Sequence, residues 1–390
     1  MEEAGPQWLV RWQHRGRDAS RDIPNRMNYS KRIGLLRRRM SGQGLPGLLV
    51  THLADVRWLS GFTGSSAALA VTRRGARLFT DGRYTAQAAE EVHAAKVEIV
   101  PSAPAVAAVQ WLAVQVGETG GSVGLDAAQT SVAELERFRA ALPARLRRKL
   151  LTPLTSLVEP LRWLKDEDEL AVMAEAAKLG DDLFTHMLGV IRPGQTETEV
   201  AAELEYQARV RGAEGMSFDS IVASGFRSAL PHGRASQAKL PRHGLLTLDF
   251  GVILKGYCSD MTRTVCLGKP TAREREVYEA VLEAQEAAVA AVVAGAECGV
   301  VDEAARSVLR RAGMAEAFSH STGHGVGLEI HEGPRIGAGQ KNKLAPGMVI
   351  TIEPGVYFAG EFGVRIEDMV AVTRTGGTVL THSPKALIEL

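Results

Sequence analysis

Leu245-Leu-Thr-Leu-Asp249-Phe-Gly-Val-Ile-Leu-Lys-Gly256-Tyr-Cys-Ser-Asp260-Met-Thr-Arg-Thr-Val265 reads as two apolar strands folded about a turn near Leu254-Lys255-Gly256. Folding the chain there predicts Asp249 opposite Asp260, because the two are equidistant from the turn. Opposed residues of an antiparallel pair project from one face with Cβ atoms ~5 Å apart. Two carboxylates so placed repel, and burial adds a desolvation cost. A bound cation relieves both problems. A solvated hairpin with incidental acids is the alternative, and the rest of the sequence argues against it.

The pattern recurs. Met348-Val-Ile-Thr-Ile-Glu353-Pro-Gly runs towards Gly360, and Val364-Arg-Ile-Glu367-Asp-Met-Val returns from it. Glu353 and Glu367 are equidistant from Gly360 and are predicted to face each other. Acidic residues inside such β-branched runs are seldom left unpaired. Arg365 falls on the same face as Glu367 and is expected to pair with a carboxylate there. Between the hairpins lies Phe318-Ser-His320-Ser-Thr-Gly-His324-Gly-Val-Gly-Leu-Glu-Ile-His331-Glu-Gly-Pro334. His324 is the expected fifth ligand, its flanking glycines letting the backbone approach a metal closely. Four carboxylates and one imidazole suit divalent ions, Mn²⁺ foremost, with Co²⁺, Zn²⁺ or Fe²⁺ compatible. No thiolate joins the pattern, which argues against a structural zinc site. Cys258 shares a face with Asp260 and is read as a packing residue.

Taken in order, Asp249, Asp260, His324, Glu353 and Glu367 resemble the metal ligands of the pita-bread metallopeptidases: methionine aminopeptidases, aminopeptidase P, prolidase and their relatives. The resemblance covers the chain from about 160 onward. It rests on Leu248-Asp-Phe-Gly251, Ser259-Asp-Met-Thr-Arg-Thr264, Gly323-His-Gly-Val-Gly327, Ile352-Glu-Pro-Gly355 and Val364-Arg-Ile-Glu-Asp368. Upstream, Trp58-Leu-Ser-Gly-Phe-Thr-Gly64 and Phe79-Thr-Asp-Gly-Arg-Tyr84 look like the creatinase-type N-terminal domain of aminopeptidase P and prolidase, which methionine aminopeptidases lack. His232, in Pro231-His-Gly233, and His320 and His331 match the histidines of the proline-specific branch.

The resemblance implies a substrate peptide with penultimate proline, cleaved before the proline with the help of two divalent ions. It implies Asp260 and Glu367 bridging the ions, Asp249 completing one, and His324 with Glu353 completing the other. Glu353 would also shuttle the proton, while His331 and His232 would donate to the developing oxyanion and substrate backbone. His320 would hold its loop or touch substrate. Xaa-Pro aminopeptidase is the leading reading, and Xaa-Pro dipeptidase the nearest rival. The dipeptidase needs a cation for the dipeptide's carboxylate, with Arg57 and Arg83 among the candidates. An inactive binding protein on this fold would not be expected to keep all five ligands, nor would a creatinase-type amidinohydrolase. Relatives are commonly dimers, so a homodimer is expected.

Working outward, 390 residues suggest two domains. The expected fold is a small α/β creatinase-like N-terminal domain (27–155) joined to an α+β pita-bread catalytic domain (160–390) with a curved antiparallel sheet. Residues 1–26, with Trp8, Trp12 and five arginines, read as a poorly ordered extension without a signal-peptide core. Basic and acidic side chains number 46 and 45, which removes the electrostatic reason to expect nucleic acid or an anionic membrane. No apolar run approaches the ~18 residues that span a bilayer. Three cysteines without a C-x-x-C pair fit a reducing cytoplasm.

Overall fold

The computed structural model of the protein describes residues 27–117 and 121–390, so the extension expected at 1–26 lies outside the described residues. The N-terminal region is built on a six-stranded sheet in the spatial order 96–99, 76–80, 67–72, 47–50, 123–126 and 151–154. Antiparallel pairing at its centre gives way to parallel pairing at both edges. Helices cover both faces, each burying its own apolar cluster. After the strand 76–80 comes the helix Thr85–Glu91, which ends where Val92 turns extended.

The catalytic region opens with the helices Glu167–Val190 and Glu197–Val210, and a second pair, Ala272–Ala290 and Cys298–Arg311, follows the first hairpin. Three of these four helices begin with reciprocal capping boxes: Asp166 with Glu169, Thr196 with Glu199, and Thr271 with Glu274. Each helix pair covers antiparallel strands and buries its own core, so the two halves repeat one plan.

The first hairpin departs from the expected register. Lys255 and Gly256 have φ of 48° and 80°, the positive pair of a two-residue turn. Ile253 therefore pairs with Cys258, and Asp249 with Thr262 rather than with Asp260. The slip is two residues, so Asp249 and Asp260 become diagonal neighbours and keep a common face. Gly251 sits where a Cβ would collide with the Ser259 carbonyl, which explains its lack of a side chain. In the second hairpin Ile352 pairs with Asp368 and Gly355 with Arg365, a register that sets Glu353 against Glu367. The two hairpins meet edge to edge: Glu367 N donates to Thr262 O at 3.1 Å, and Thr264 Oγ1 donates to Arg365 O at 3.0 Å.

Candidate metal centre

Each acidic residue is delivered by a strand or by the residue at a strand's end. Asp249 lies in Gly244–Phe250, Asp260 directly before Met261–Leu267, Glu353 directly after Val349–Ile352, and Glu367 directly before Asp368–Val372. His324 is central in the short strand Gly323–Gly325. The glycines around it serve a different purpose from the one the sequence suggested. A Cβ at Gly323 would strike Thr351 O and one at Gly325 would strike Gly333 O, so both admit neighbouring strands rather than a metal. All five side chains, with His232, His320, His331 and Arg365, line one cavity of about 660 Å³.

The interior of this cavity is electrostatically unfinished. Burial, reinforced by Glu367, Asp249 and Glu353, pushes the Asp260 carboxyl well above the usual range. Burial does the same to Glu367, with Glu353 and Asp249 adding to it. Glu353 is pushed up to about 8, again chiefly by burial. Among the described residues, Asp249 Oδ1 and Asp260 Oδ1 are buried without a hydrogen-bond partner. Burial holds the His324 imidazole down to about 4, so the ring is neutral near pH 7. Its Nδ1 is 3.0 Å from Gly325 O, so Nδ1 carries the proton and Nε2 presents a lone pair. That lone pair faces Asp260 Oδ2 at 3.5 Å and Glu353 Oε1 at 3.6 Å.

A lone pair aimed at two carboxylates, beside two orphaned carboxylate oxygens, is repulsive in a protein alone and fits a cation between them. Ligand atoms of Asp260, His324 and Glu367 already lie within 4.8 Å of one another. Asp249 stands outside that triple and reaches it through Arg365, whose Nη2 donates to Asp249 Oδ2 at 2.6 Å.

Arg365 is the hub of the shell behind the carboxylates. Its Nε donates to Thr262 Oγ1 at 3.1 Å, and Thr262 donates to Glu367 Oε2 at 2.7 Å. Its Nη1 donates to Pro231 O at 3.0 Å, fixing the backbone beside His232, and to Tyr357 Oη at 2.6 Å. Burial opposes the guanidinium charge, but Tyr357, Asp249 and Glu353 hold it protonated. Burial lowers His320 to about 4. With Nδ1 donating to Ser321 O at 2.8 Å, its Nε2 accepts from Tyr357 at 3.0 Å. Both ring nitrogens of His320 are therefore engaged with protein. Tyr357 and Thr262 were not singled out from sequence; Thr262 lies two residues beyond Asp260, a same-face spacing that could have flagged it.

The His331 and His324 rings meet edge to face, with centroids 4.5 Å apart. Phe218 and Ile221 line the cavity, whereas Phe226 is on the surface. Cys258 packs among Val172, Met173 and Met369, and burial pushes its thiol up to about 12. Arg83 pairs with Asp81 on the surface, and Arg57 lines a different cavity near Glu214. Two arginines that sequence reading passed over, Arg234 and Arg335, line the catalytic cavity instead. Arg234 pairs with Asp219. Arg335 is exposed, its Nε donates to Ser321 Oγ at 2.6 Å, and among the described residues it meets no carboxylate. Its signal was its place four residues after His331. His52, His186 and His243 each pair with acids away from this cavity. His14 lies outside the described residues.

Comparison with known proteins agrees with this geometry. Residues 171–374 match the model of metallopeptidase family M24, and residues 32–163 match the creatinase/prolidase N-terminal domain. An uncharacterized peptidase of Bacillus subtilis is 41% identical over 354 residues, spanning 90% of this chain and 98% of that protein. The solved Xaa-Pro dipeptidase from Bacillus anthracis superposes with a TM-score of 0.88 at 39% identity, covering 93% of this chain and 100% of that one. The X-Pro aminopeptidase from Thermotoga maritima gives 0.82 at 35% identity, covering 92% and 99%. The chain therefore belongs to metallopeptidase family M24 and carries the creatinase/prolidase N-terminal domain.

Proposed function

We propose that the protein hydrolyses the bond before proline in substrates with a free N-terminus, and that Xaa-Pro dipeptides are its preferred substrates. The observation that carries this reading is Arg335, a guanidinium at the catalytic cavity, anchored by Ser321 and without an acidic partner among the described residues. In a dipeptide the proline carboxylate lies one residue beyond the scissile bond and needs such a cation; in a longer peptide that position is a neutral amide. A relative named Xaa-Pro dipeptidase supports the same substrate class.

Asp249, Asp260, His324, Glu353 and Glu367 would hold the divalent ions, which when bound would supply Lewis acidity towards a water and the scissile carbonyl. The chain's own groups do the rest. Glu353 takes a proton from the water and returns it to the prolyl nitrogen. His331 and His232 donate to the carbonyl oxygen and to the substrate backbone. Arg365 and Thr262 keep Asp249 and Glu367 in place. Proline offers no N–H, so its subsite needs shape rather than an acceptor. Phe218, Ile221, Pro231 and Ile330 provide apolar walls for it.

Arg335→Gln tests the dipeptide reading. The expected result is a rise in KM for Gly-Pro of ~10-fold or more, the worth of a charge-assisted hydrogen bond, with Gly-Pro-Gly little changed. Equal effects on both substrates would transfer support to the Xaa-Pro aminopeptidase reading. The cavity's size, about 660 Å³, leaves room for residues beyond proline and favours that second reading.

A further inference from the structure

His331 has no hydrogen bond of its own among the described residues, yet the two acids that bracket it are among the most firmly held in the molecule. Glu332 is buried and Glu329 is partly exposed, and both reach the same guanidinium. Arg162, in the short helix Glu159–Arg162 between the two domains, is 1% exposed. Its Nη2 donates to Glu329 Oε2 at 2.6 Å and to Glu332 Oε1 at 2.5 Å. Its Nη1 donates to Asp55 Oδ1, in the N-terminal domain, at 2.6 Å. Lys165 Nζ donates to Glu332 Oε2 at 3.1 Å, and His52 lies 3.1 Å from Glu329 Oε1 and 3.5 Å from Asp55 Oδ2.

We infer that Arg162 is a positioning residue for His331, acting through Glu329 and Glu332, so that the N-terminal domain forms part of the catalytic apparatus. The inference rests on the proposed reading of His331 as a donor to the substrate. Three further contacts point the same way. The segment has no slack at Gly327, where a Cβ would stand 2.6 Å from Glu332 Oε2, or at Gly333, where it would strike the Trp163 ring. Gly327 O accepts from Cys258 N at 2.8 Å, which ties the segment to the hairpin bearing Asp260. Charge also balances: Arg162, Lys165 and protonated His52 face Asp55, Glu329 and Glu332. His52 is held protonated by its hydrogen bonds to Asp55 and Glu329, which push it up to about 9.

This clamp sits behind His331, not in contact with the reacting atoms. Its loss should therefore let the His331 segment wander and lower kcat more than it alters KM. A guanidinium is required because one fork serves three carboxylates; an ammonium keeps the charge but cannot span them.

The test combines Arg162→Lys, which keeps the buried charge, with the harsher Arg162→Gln, in a double-mutant cycle with His331→Ala on Xaa-Pro substrate. The expected loss for Arg162→Lys is ~10-fold or more in kcat, vanishing in the His331→Ala background because the clamp then has nothing to position. Losses that multiply in the double variant, or less than a twofold loss for both Arg162 variants, overturn the inference. Hydrogen exchange supplies an arm independent of activity. Arg162→Lys should accelerate exchange in 327–333 while the helix Glu167–Val190 stays protected. Unchanged exchange in 327–333 overturns the inference, whether or not the wild-type protein proves to cleave prolyl bonds. A wild type that cleaves no prolyl substrate removes the proposed function alone, and the exchange result then decides the clamp.

Discussion

Asp260→Asn is expected to lower peptidase activity by ~10³-fold or more, about 4 kcal/mol of barrier, while raising the melting temperature of the metal-free protein. Both effects have one cause. Asp260 is buried against Glu367, Asp249 and Glu353, and its Oδ1 has no partner among the described residues. A neutral amide of the same shape removes the repulsion and the desolvation penalty together. It also removes a negative ligand that a divalent ion needs. Relief of ~1–2 kcal/mol would raise the melting temperature by ~1–4 °C for a chain of this size.

The pH dependence follows with a definite sign. A carboxyl whose folded pKa is raised binds its proton more tightly in the folded state, so it destabilises the fold as pH rises above its unfolded value. For Glu353 that window runs from 4.5 to about 8. The metal-free wild type should therefore lose stability between about pH 5 and pH 8, and added divalent ion should raise the melting temperature most at the upper end. Calorimetry with and without ion checks both statements. A destabilised metal-free Asp260→Asn would mean that the carboxylate has a partner in the protein after all.

Arg365→Met should cost ~3–5 kcal/mol of stability, the usual consequence of removing one partner from a buried ion pair. It strands Asp249 Oδ2 and Pro231 O at once and removes one of the two partners of Tyr357 Oη. Activity should fall by ~10² or more, because Asp249 and the backbone beside His232 both lose their anchor. Arg365→Lys keeps the charge but cannot reach Thr262, Asp249, Tyr357 and Pro231 together. A loss of ~10–100-fold is expected there, with a weaker apparent affinity for the activating ion. Chemical denaturation and an ion titration of activity read the two effects separately. Wild-type ion affinity in Arg365→Lys would exclude a role in holding Asp249.

Both acidic hairpins were legible because their spacing is local. Gly360, with φ of 80°, stands midway between Glu353 and Glu367, and the observed register follows from that symmetry. At the first hairpin the turn centres between Lys255 and Gly256, one residue beyond the midpoint of Asp249 and Asp260, and that moves every partner by two. The side-chain period of a strand is also two, so the error left the face of Asp249 and Asp260 intact.

What stayed hidden was the polar shell, because its partners meet only after distant segments pack. Arg365 finds Pro231 across 134 residues, and Arg162 finds Glu329 across 167. No periodicity marks such pairs. Arg335 was passed over for a different reason: its role depends on which way an exposed side chain leaves the cavity edge. The glycines around His324 were read correctly as sites of close approach, but what approaches is the backbone at Thr351 and Gly333.

The account rests most heavily on a divalent-metal centre that cleaves before proline. The direct measurement strips the protein of metal, titrates Mn²⁺ back, and follows amino acid released from Gly-Pro, Gly-Pro-Gly and their alanine counterparts Gly-Ala and Gly-Ala-Gly. The predicted result is negligible hydrolysis in the stripped protein and ion-dependent recovery on the prolyl substrates only. Full activity without metal, or equal cleavage of the alanine substrates by the reloaded protein, would contradict it.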